Sequence, residues 1–261
     1  MARGYAGVMM KTLGAVEHTL TVAGVEDVTP HYRRITFDAP TLFDGQAIEP
    51  AAWVRLWAPS DSGKEHQRGY TLVDPDPERE RVVLEFVLHE PAGPACVWAG
   101  KAEPGDTIQV TRWASGHFAV PDPEPAGYLL VGDAASVPGV NAILAAVPAG
   151  APVLVLLERH RDDDPLIPIT PHPLAEVRWV DDVAAAVESR DWSDWYAWVT
   201  AESGATKRVK ARLKELGFPA ADVKARAYWI RGKAMGVERP AAEPPVAEPT
   251  VEAPRGEWRS R

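Results

Sequence analysis

The chain changes character at a proline-rich segment, Pro121-Asp122-Pro123-Glu124-Pro125. Upstream of it lie short extended runs broken by Pro, Gly and Asp, and downstream of it apolar strands alternate with helices. A residue that precedes proline is held in extended backbone, so this segment is predicted to be a stiff joint. The sequence therefore predicts two structural units, residues 16–121 and residues 122–238.

The first unit is composed of segments that favour strands. β-branched and aromatic residues form runs of strand length without helical periodicity, and each run ends at Pro, Gly or Asp. These runs are Thr19–Val25, Ala52–Trp57, Arg81–His89 and Asp106–Thr111. The pattern predicts one small antiparallel barrel from Val16 to about Pro121.

The second unit alternates strands with helices. The predicted strands are Gly127–Val131, Val153–Leu157, Val177–Val180, Trp195–Thr200 and Ala225–Ile230. One helix is predicted where five apolar residues share a helical face, and these are Val137, Val140, Ile143, Leu144 and Val147. A second helix is predicted over Ala205–Leu216. Such alternation predicts a parallel sheet covered by helices.

The two ends of the chain differ from both units. Residues 1–15 form an N-terminal extension that lacks the apolar region of a secretory signal. Residues 239–261 contain five prolines and four glutamates but few large apolar groups, which predicts a disordered tail. No run approaches the roughly 18 apolar residues of a membrane span, so no membrane insertion is expected.

Charge and cysteine content narrow the function. A formal net charge of −9, from 28 basic and 37 acidic residues, disfavours nucleic acid as a partner. The single cysteine, Cys96, cannot form an internal disulfide, which is typical of a reducing compartment. Three consecutive carboxylates at residues 162–164 are interpreted as a solvated turn, and no metal site is predicted. We therefore expect a cytoplasmic protein in which redox chemistry would need a bound cofactor.

The segment Arg68-Gly69-Tyr70-Thr71 opens a predicted strand with a cation, an aromatic ring and a hydroxyl. Arginine can form two hydrogen bonds to a diphosphate, and a tyrosine ring can pack on a flavin ring. A threonine hydroxyl can hydrogen-bond flavin N5, the atom that accepts hydride. On this tetrapeptide alone, an ordinary strand with an exposed arginine and a half-buried tyrosine is the favoured explanation, so the motif needs support from elsewhere.

Two further loops have the composition of anion sites. His89 is followed by the small residues Ala92, Gly93, Pro94, Ala95 and Cys96, which let backbone N–H groups approach a phosphate. The second loop runs from Gly132 to Gly139 and includes Asp133 and Ser136, but it lacks both common glycine-rich nucleotide fingerprints. The alternatives are a Gly-Pro turn with a strand-end histidine, and a serine that only caps a helix.

Residues after the predicted strand Val153–Leu157 bear on the choice of nucleotide. Glu158 could bind a ribose diol, as in NADH, whereas Arg159 or Arg161 could bind the 2′-phosphate of NADPH. The sequence leaves both possibilities open.

Five ordered blocks, taken together, closely resemble the siderophore-interacting protein family over roughly residues 15 to 236. They are Arg68–Thr71, His89–Trp98, Gly127–Asp133, Trp195–Glu202 and Tyr228–Gly232. The resemblance implies a two-domain, ferredoxin-reductase-like architecture. It consists of an N-terminal six-stranded antiparallel β-barrel that binds FAD and a C-terminal α/β domain with a parallel sheet that meets NADH, NADPH or another donor.

The resemblance also implies roles for individual residues. Tyr70 and Thr71 become the catalytic candidates, at the flavin ring face and at N5, and Arg68 a phosphate ligand. The other implied cofactor contacts are Gly69, His89, Ala92, Gly93, Pro94, Ala95, Cys96, Asp133, Ser136 and Trp229. This chain departs from the family pattern at Glu90, Cys96, Ala134, Ala135 and Ala201.

The function that follows is an FAD-dependent ferric-siderophore reductase. Electrons from NADH, NADPH or a ferredoxin-type donor would pass through the flavin to Fe(III) and so release iron. Arg231, Lys233 and Arg112 are the candidate cations for an anionic ferric siderophore. The alternatives are a flavin- or siderophore-binding protein without turnover and a generic flavin reductase.

Overall fold

The computed structural model describes residues 15–43, 48–112 and 117–232. Most of the predicted N-terminal extension, the predicted tail at residues 239–261 and the candidate Lys233 lie outside these ranges. No helix within the described ranges has both the length and the apolar content needed to cross a membrane.

The first unit is an antiparallel sheet. Its strands are β1 (Val16–Thr29), β2 (Tyr32–Asp38), β3 (Trp53–Pro59), β4 (Glu65–Thr71), β5 (Val73–Asp76), β6 (Arg81–Val87) and β7 (Thr107–Arg112). Their spatial order is β4-β3-β7-β1-β2-β6-β5. The predicted count of six is wrong, since the sheet has seven strands in the described residues. The difference arises at Leu72, the one residue between β4 and β5. Because β4 and β5 lie at opposite edges of the sheet, one bent segment contributes two strands and brings the two edges together.

Strand alternation builds the core of this sheet. Inward positions on neighbouring strands, such as Leu20, Ile35, Leu56 and Leu84, are fully buried. Helix α1 (Pro94–Lys101) packs Ala95 and Ala99 into the same core. The beginning of α1 is thereby fixed relative to β4 and β6.

The second unit is a parallel sheet flanked by helices, as predicted. Its strands are β8 (Gly127–Asp133), β9 (Val153–Glu158), β10 (Ala175–Val180), β11 (Trp195–Val199) and β12 (Val223–Ala225), in the order β10-β9-β8-β11-β12. Its helices are α2 (Val137–Ala146), α3 (Val183–Ala186) and α4 (Ser203–Glu215). Every residue of β8 and β9 is buried, because helices or the first unit cover both faces.

The predicted strand Ala225–Ile230 is wrong in extent. After β12 the chain crosses the end of β11: the Tyr228 N–H bonds the Ala201 carbonyl, and Trp229 forms an isolated bridge with Glu202. Ile230 is 47% exposed, so the apolar run does not mark a buried strand. Its aromatic residues instead lie at the edge of the second sheet.

Aromatic packing joins the two units. Phe118 lies just before the proline-rich segment and is buried. Its ring meets those of Tyr128, Tyr196 and Trp198 edge-on, with centroids 6.0 to 6.2 Å apart. Tyr32 is buried in this same cluster, so the seam between the units is a continuous apolar core.

Candidate functional site

Strand β4 places the predicted flavin motif beside the barrel core. Arg68 and Tyr70 alternate with Gly69, so their side chains share one face of the strand. The Tyr70 ring packs on Phe86, with centroids 4.4 Å apart. Burial lowers the pKa of Arg68 and raises that of Tyr70. The motif therefore presents a positive charge where water is partly excluded.

Gly69 allows the Trp53 ring to lie close to the backbone of β4, where a side chain at position 69 would crowd it. A Cβ at this position would lie 3.2 Å from Cε3 of Trp53 on β3. The Trp53 ring is flanked by two guanidinium groups, those of Arg55 at 4.5 Å and Arg226 at 4.9 Å from the ring centre. Burial and the nearby charge of Arg226 lower the pKa of Arg55. We call Trp53, Arg55 and Arg226 the basic platform.

The loop before α1 is held in place by sulfur and carboxylate contacts. Cys96 Sγ accepts a hydrogen bond from the His89 N–H and donates to the His89 carbonyl. Burial raises the pKa of this thiol, which favours the neutral form that the hydrogen bond to the His89 carbonyl needs. The Ala92 N–H donates to Glu90. Gly93, the N-cap of α1, provides no side-chain acceptor, so the first turn keeps N–H donors for a ligand.

Asp133 ties the end of β8 to the end of β11. Its Oδ1 accepts from the Ala135 N–H and the Ser136 hydroxyl, at 3.0 and 3.1 Å. Its Oδ2 accepts from the Glu202 N–H at 3.1 Å and from the Trp229 indole at 2.7 Å. The structure thus brings the predicted cofactor residues Asp133, Ser136 and Trp229 together.

Ser136 makes a second link between the ends of β8 and β11. Its hydroxyl also contacts the carbonyl of Thr200, across from β8 to β11. The fold binds ligands at this point, where the helices after β8 and β11 diverge. In this chain, the side chains of Asp133, Ser136 and Trp229 form hydrogen bonds within the protein at this point.

Ionisable groups at this edge influence one another. The Asp133 carboxylate, 3.9 Å from His160 Nε2, raises the pKa of His160. Burial raises the pKa of Glu158. Burial alone would raise the pKa of Glu202 as well, but N–H donors from Arg231, Ala205 and Gly204 lower it.

Thr71 reaches the seam between the two units. Tyr228 lies opposite it, and burial raises the pKa of Tyr228 while the charge of Arg226 and the hydroxyls of Thr200 and Thr71 lower it in part. The Tyr228 hydroxyl also lies 3.3 Å from the position that a Cβ on Gly139 would occupy. The residue implied to contact flavin N5 thus faces the second unit.

The two candidate substrate cations that the structure describes, Arg231 and Arg112, make contacts in different places. Arg231 lies over the Trp229 ring, 5.6 Å from its centre. Arg112 donates to the Leu42 carbonyl within the barrel, and Lys233 is outside the described residues. Sequence reasoning missed the basic platform, although Trp53 and Arg55 stand two residues apart and so share a face of β3.

Two family models and a solved structure indicate the class of protein. The model described as "Siderophore-interacting FAD-binding domain" matches residues 46–114, and that described as "Siderophore-interacting protein" matches residues 125–232. A ferredoxin NADP+ reductase from Neisseria gonorrhoeae shares the fold, with a TM-score of 0.59 at 12% identity over 82% of this chain and 99% of that one. The architecture is therefore ferredoxin-reductase-like.

Two further solved structures are more similar to this chain, and the two family models specify the family. A siderophore utilization protein from T. fusca has a TM-score of 0.73 at 23% identity, covering 84% of this chain and 94% of that chain. The siderophore-interacting protein SipS from Aeromonas hydrophila has a TM-score of 0.68 at 24% identity, covering 84% and 93%. The chain belongs to the siderophore-interacting protein family.

Curated relatives are longer than this chain. The mycobactin import ATP-binding/permease protein IrtA of Mycobacterium tuberculosis is 48% identical over 94% of this chain and 29% of its own length. The protein of the same name from Mycolicibacterium smegmatis is 45% identical over 100% of this chain and 33% of its own length. The chain thus spans about a third of the curated relatives it matches.

Proposed function

We propose that this chain is an FAD-dependent oxidoreductase that reduces the Fe(III) of a ferric siderophore. The observation that carries the proposal is the arrangement of β4. Partly buried Arg68 and Tyr70 lie on one face of the strand, beside the barrel core into which α1 packs, while Thr71 reaches the seam. A cation, an aromatic ring and a hydroxyl thus follow one another toward the second unit.

The residues present fit FAD. Arg68, whose charge is partly removed from water, and the uncapped first turn of α1 would hold the diphosphate. Tyr70 would support the ring and Thr71 would donate to its N5 edge. When bound, FAD takes up two electrons as hydride and can release them singly, which matches a two-electron donor to the Fe(III)/Fe(II) couple.

The basic platform supports a siderophore as substrate. Two guanidinium groups on one indole offer both charge and a flat surface, which suit an anionic or aromatic iron chelator. Fe(III) is held by hard oxygen ligands, and reduction weakens those bonds. Since the longer relatives are named for mycobactin import, we infer that the chain supplies the reductase step of a siderophore importer on the cytoplasmic side.

One observation favours binding without turnover as the second candidate. The oxygens of Asp133 and the Ser136 hydroxyl are bonded within the protein at the crevice where a dinucleotide would bind. A nicotinamide donor would have to displace these contacts or bind beside them. Without a ferredoxin-type donor, which would need no such crevice, the chain would bind its ligands without turnover.

Steady-state reduction tests the proposal. We expect FAD-loaded protein supplied with NADH, NADPH or a reduced ferredoxin to convert a ferric siderophore to Fe(II), captured by a ferrous chelator. Replacing Arg55 and Arg226 with glutamine should raise KM for the siderophore at unchanged flavin content. Arg190→Gln is the matched control, because Arg190 also stacks on indoles, those of Trp192 and Trp195, away from β3.

Each alternative has its own outcome in this assay. Equal activity with simple ferric salts and no effect of the Arg55 and Arg226 substitutions would indicate a generic flavin reductase. Tight siderophore binding without Fe(II) formation from any donor would indicate the binding protein.

A further inference from the structure

Carboxylates line the carboxyl-terminal edge of the parallel sheet. Asp133 ends β8 and is in register with Glu158, which ends β9. Val180, the last residue of β10, is in register with Glu158 and is followed by Asp181 and Asp182. In sheets of this kind, nucleotides bind outside this edge. The charge along it therefore affects which nucleotide is accepted.

Glu158 has a buried oxygen without a partner. The residue is 8% exposed, and within the described residues its Oε2 has no hydrogen-bond partner. The other oxygen, Oε1, lies 3.7 Å from the Arg208 guanidinium. A buried carboxylate oxygen without a donor is costly, so the site is suited to a ligand that donates hydrogen bonds.

The surroundings of Glu158 are unfavourable for a phosphate. Arg159, the nearest arginine in sequence, donates to Asp181 at 2.7 Å. The other cations near Glu158 also face carboxylates: Arg208 lies 3.7 Å from Glu158 and 3.9 Å from Asp182, and His160 lies 3.9 Å from Asp133. A phosphate monoester carries about −1.5 to −2 charges at pH 7, whereas a ribose diol is neutral and donates hydrogen bonds. The two ligands should therefore be distinguished strongly at this edge.

We propose that Glu158 binds the diol of an adenosine ribose, so that the chain accepts NADH in preference to NADPH. In the bound state the carboxylate turns about its Cγ–Cδ bond and presents Oε2 to the ribose hydroxyls. The 2′-phosphate of NADPH would meet this carboxylate and its acidic neighbours. The inference rests on the proposed function, since it names the donor of that reductase.

Two redox-inert probes test the proposal on the full FAD-loaded chain. ADP-ribose and 2′-phospho-ADP-ribose differ only by the phosphate, and their affinities can be measured by calorimetry. We expect ADP-ribose to bind at least about tenfold tighter, the effect of one hydrogen bond to a charged group, and Glu158→Gln to remove most of that preference by weakening ADP-ribose. The control variant Glu176→Gln should keep the preference for ADP-ribose, because Glu176 is an exposed glutamate on β10 that pairs with Arg178.

Three results would overturn the proposal. These are equal or tighter binding of the phosphorylated probe, no binding of either probe at millimolar concentration, and an unchanged preference in Glu158→Gln. If that variant lost its flavin, the wild-type comparison of the two probes would still decide. Iron reduction by chemically reduced protein needs no nucleotide. That assay therefore tests the proposed function independently of the nucleotide preference.

Discussion

Under the proposed function, Arg68 is the residue on which flavin binding depends most directly. Its guanidinium lies in a partly desolvated position and donates to the Gln67 carbonyl. A hydrogen bond to a charged group contributes about 1.5–3 kcal/mol, so Arg68→Ala should weaken FAD binding by that amount. Titration of apoprotein with FAD measures it. Arg79→Ala, on an arginine whose side chain is 75% exposed, should bind as wild type; equal affinities in both variants would remove Arg68 from the site.

At the scale of elements, His160 links the loop after β9 to the end of β8. Asp133 raises the pKa of His160 above its ordinary value of 6.5 in the folded state. The resulting stabilisation is fully present below that value and is lost as pH rises through the folded pKa. The difference in Tm between wild type and His160→Gln should therefore shrink as pH rises. The control is His172→Gln, on a histidine that bonds backbone groups; a difference independent of pH would contradict this role.

Elements with strong local patterns were predictable from sequence, and those defined by distant contacts were not. The alternation along β1 and β6 and the apolar runs of β8 and β9 identify them as strands. In contrast, β2 contains adjacent arginines, and Arg33, besides its ion pair with Asp27, donates hydrogen bonds to the carbonyls of Ala99 and Gly100 at the end of α1. Local pattern reveals neither carbonyl contact, because the partners are more than sixty residues apart.

The same distinction holds for the candidate site. The β4 motif is contiguous, so the sequence alone reveals a cation, an aromatic ring and a hydroxyl on one strand, although their chemistry needed the other blocks for support. The basic platform joins β3 to Arg226 on the other unit and becomes visible only in the folded chain. Similarly, the Asp133 contacts to Glu202 and Trp229 depend on how β11 and the segment after β12 meet β8.

At the scale of the whole molecule, Phe118 holds the two units together. It is 1% exposed and meets three aromatic rings of the second unit. Phe118→Ala should lower the free energy of unfolding by about 3–5 kcal/mol, the usual cost of removing a buried phenylalanine. Urea unfolding measures the loss. Val120→Ala, at a residue 39% exposed, should have little effect; a similarly small loss for Phe118 would mean that the seam contributes little to stability.

A single-turnover experiment tests the central claim most directly. FAD-loaded protein is reduced chemically without oxygen and then mixed rapidly with a ferric siderophore and a ferrous chelator. We predict that the flavin regains its yellow colour as Fe(II) forms, with about two Fe(II) for each FAD, because FAD carries two electrons. A flavin that stays reduced while the siderophore is bound, with no Fe(II) formed, would contradict the account.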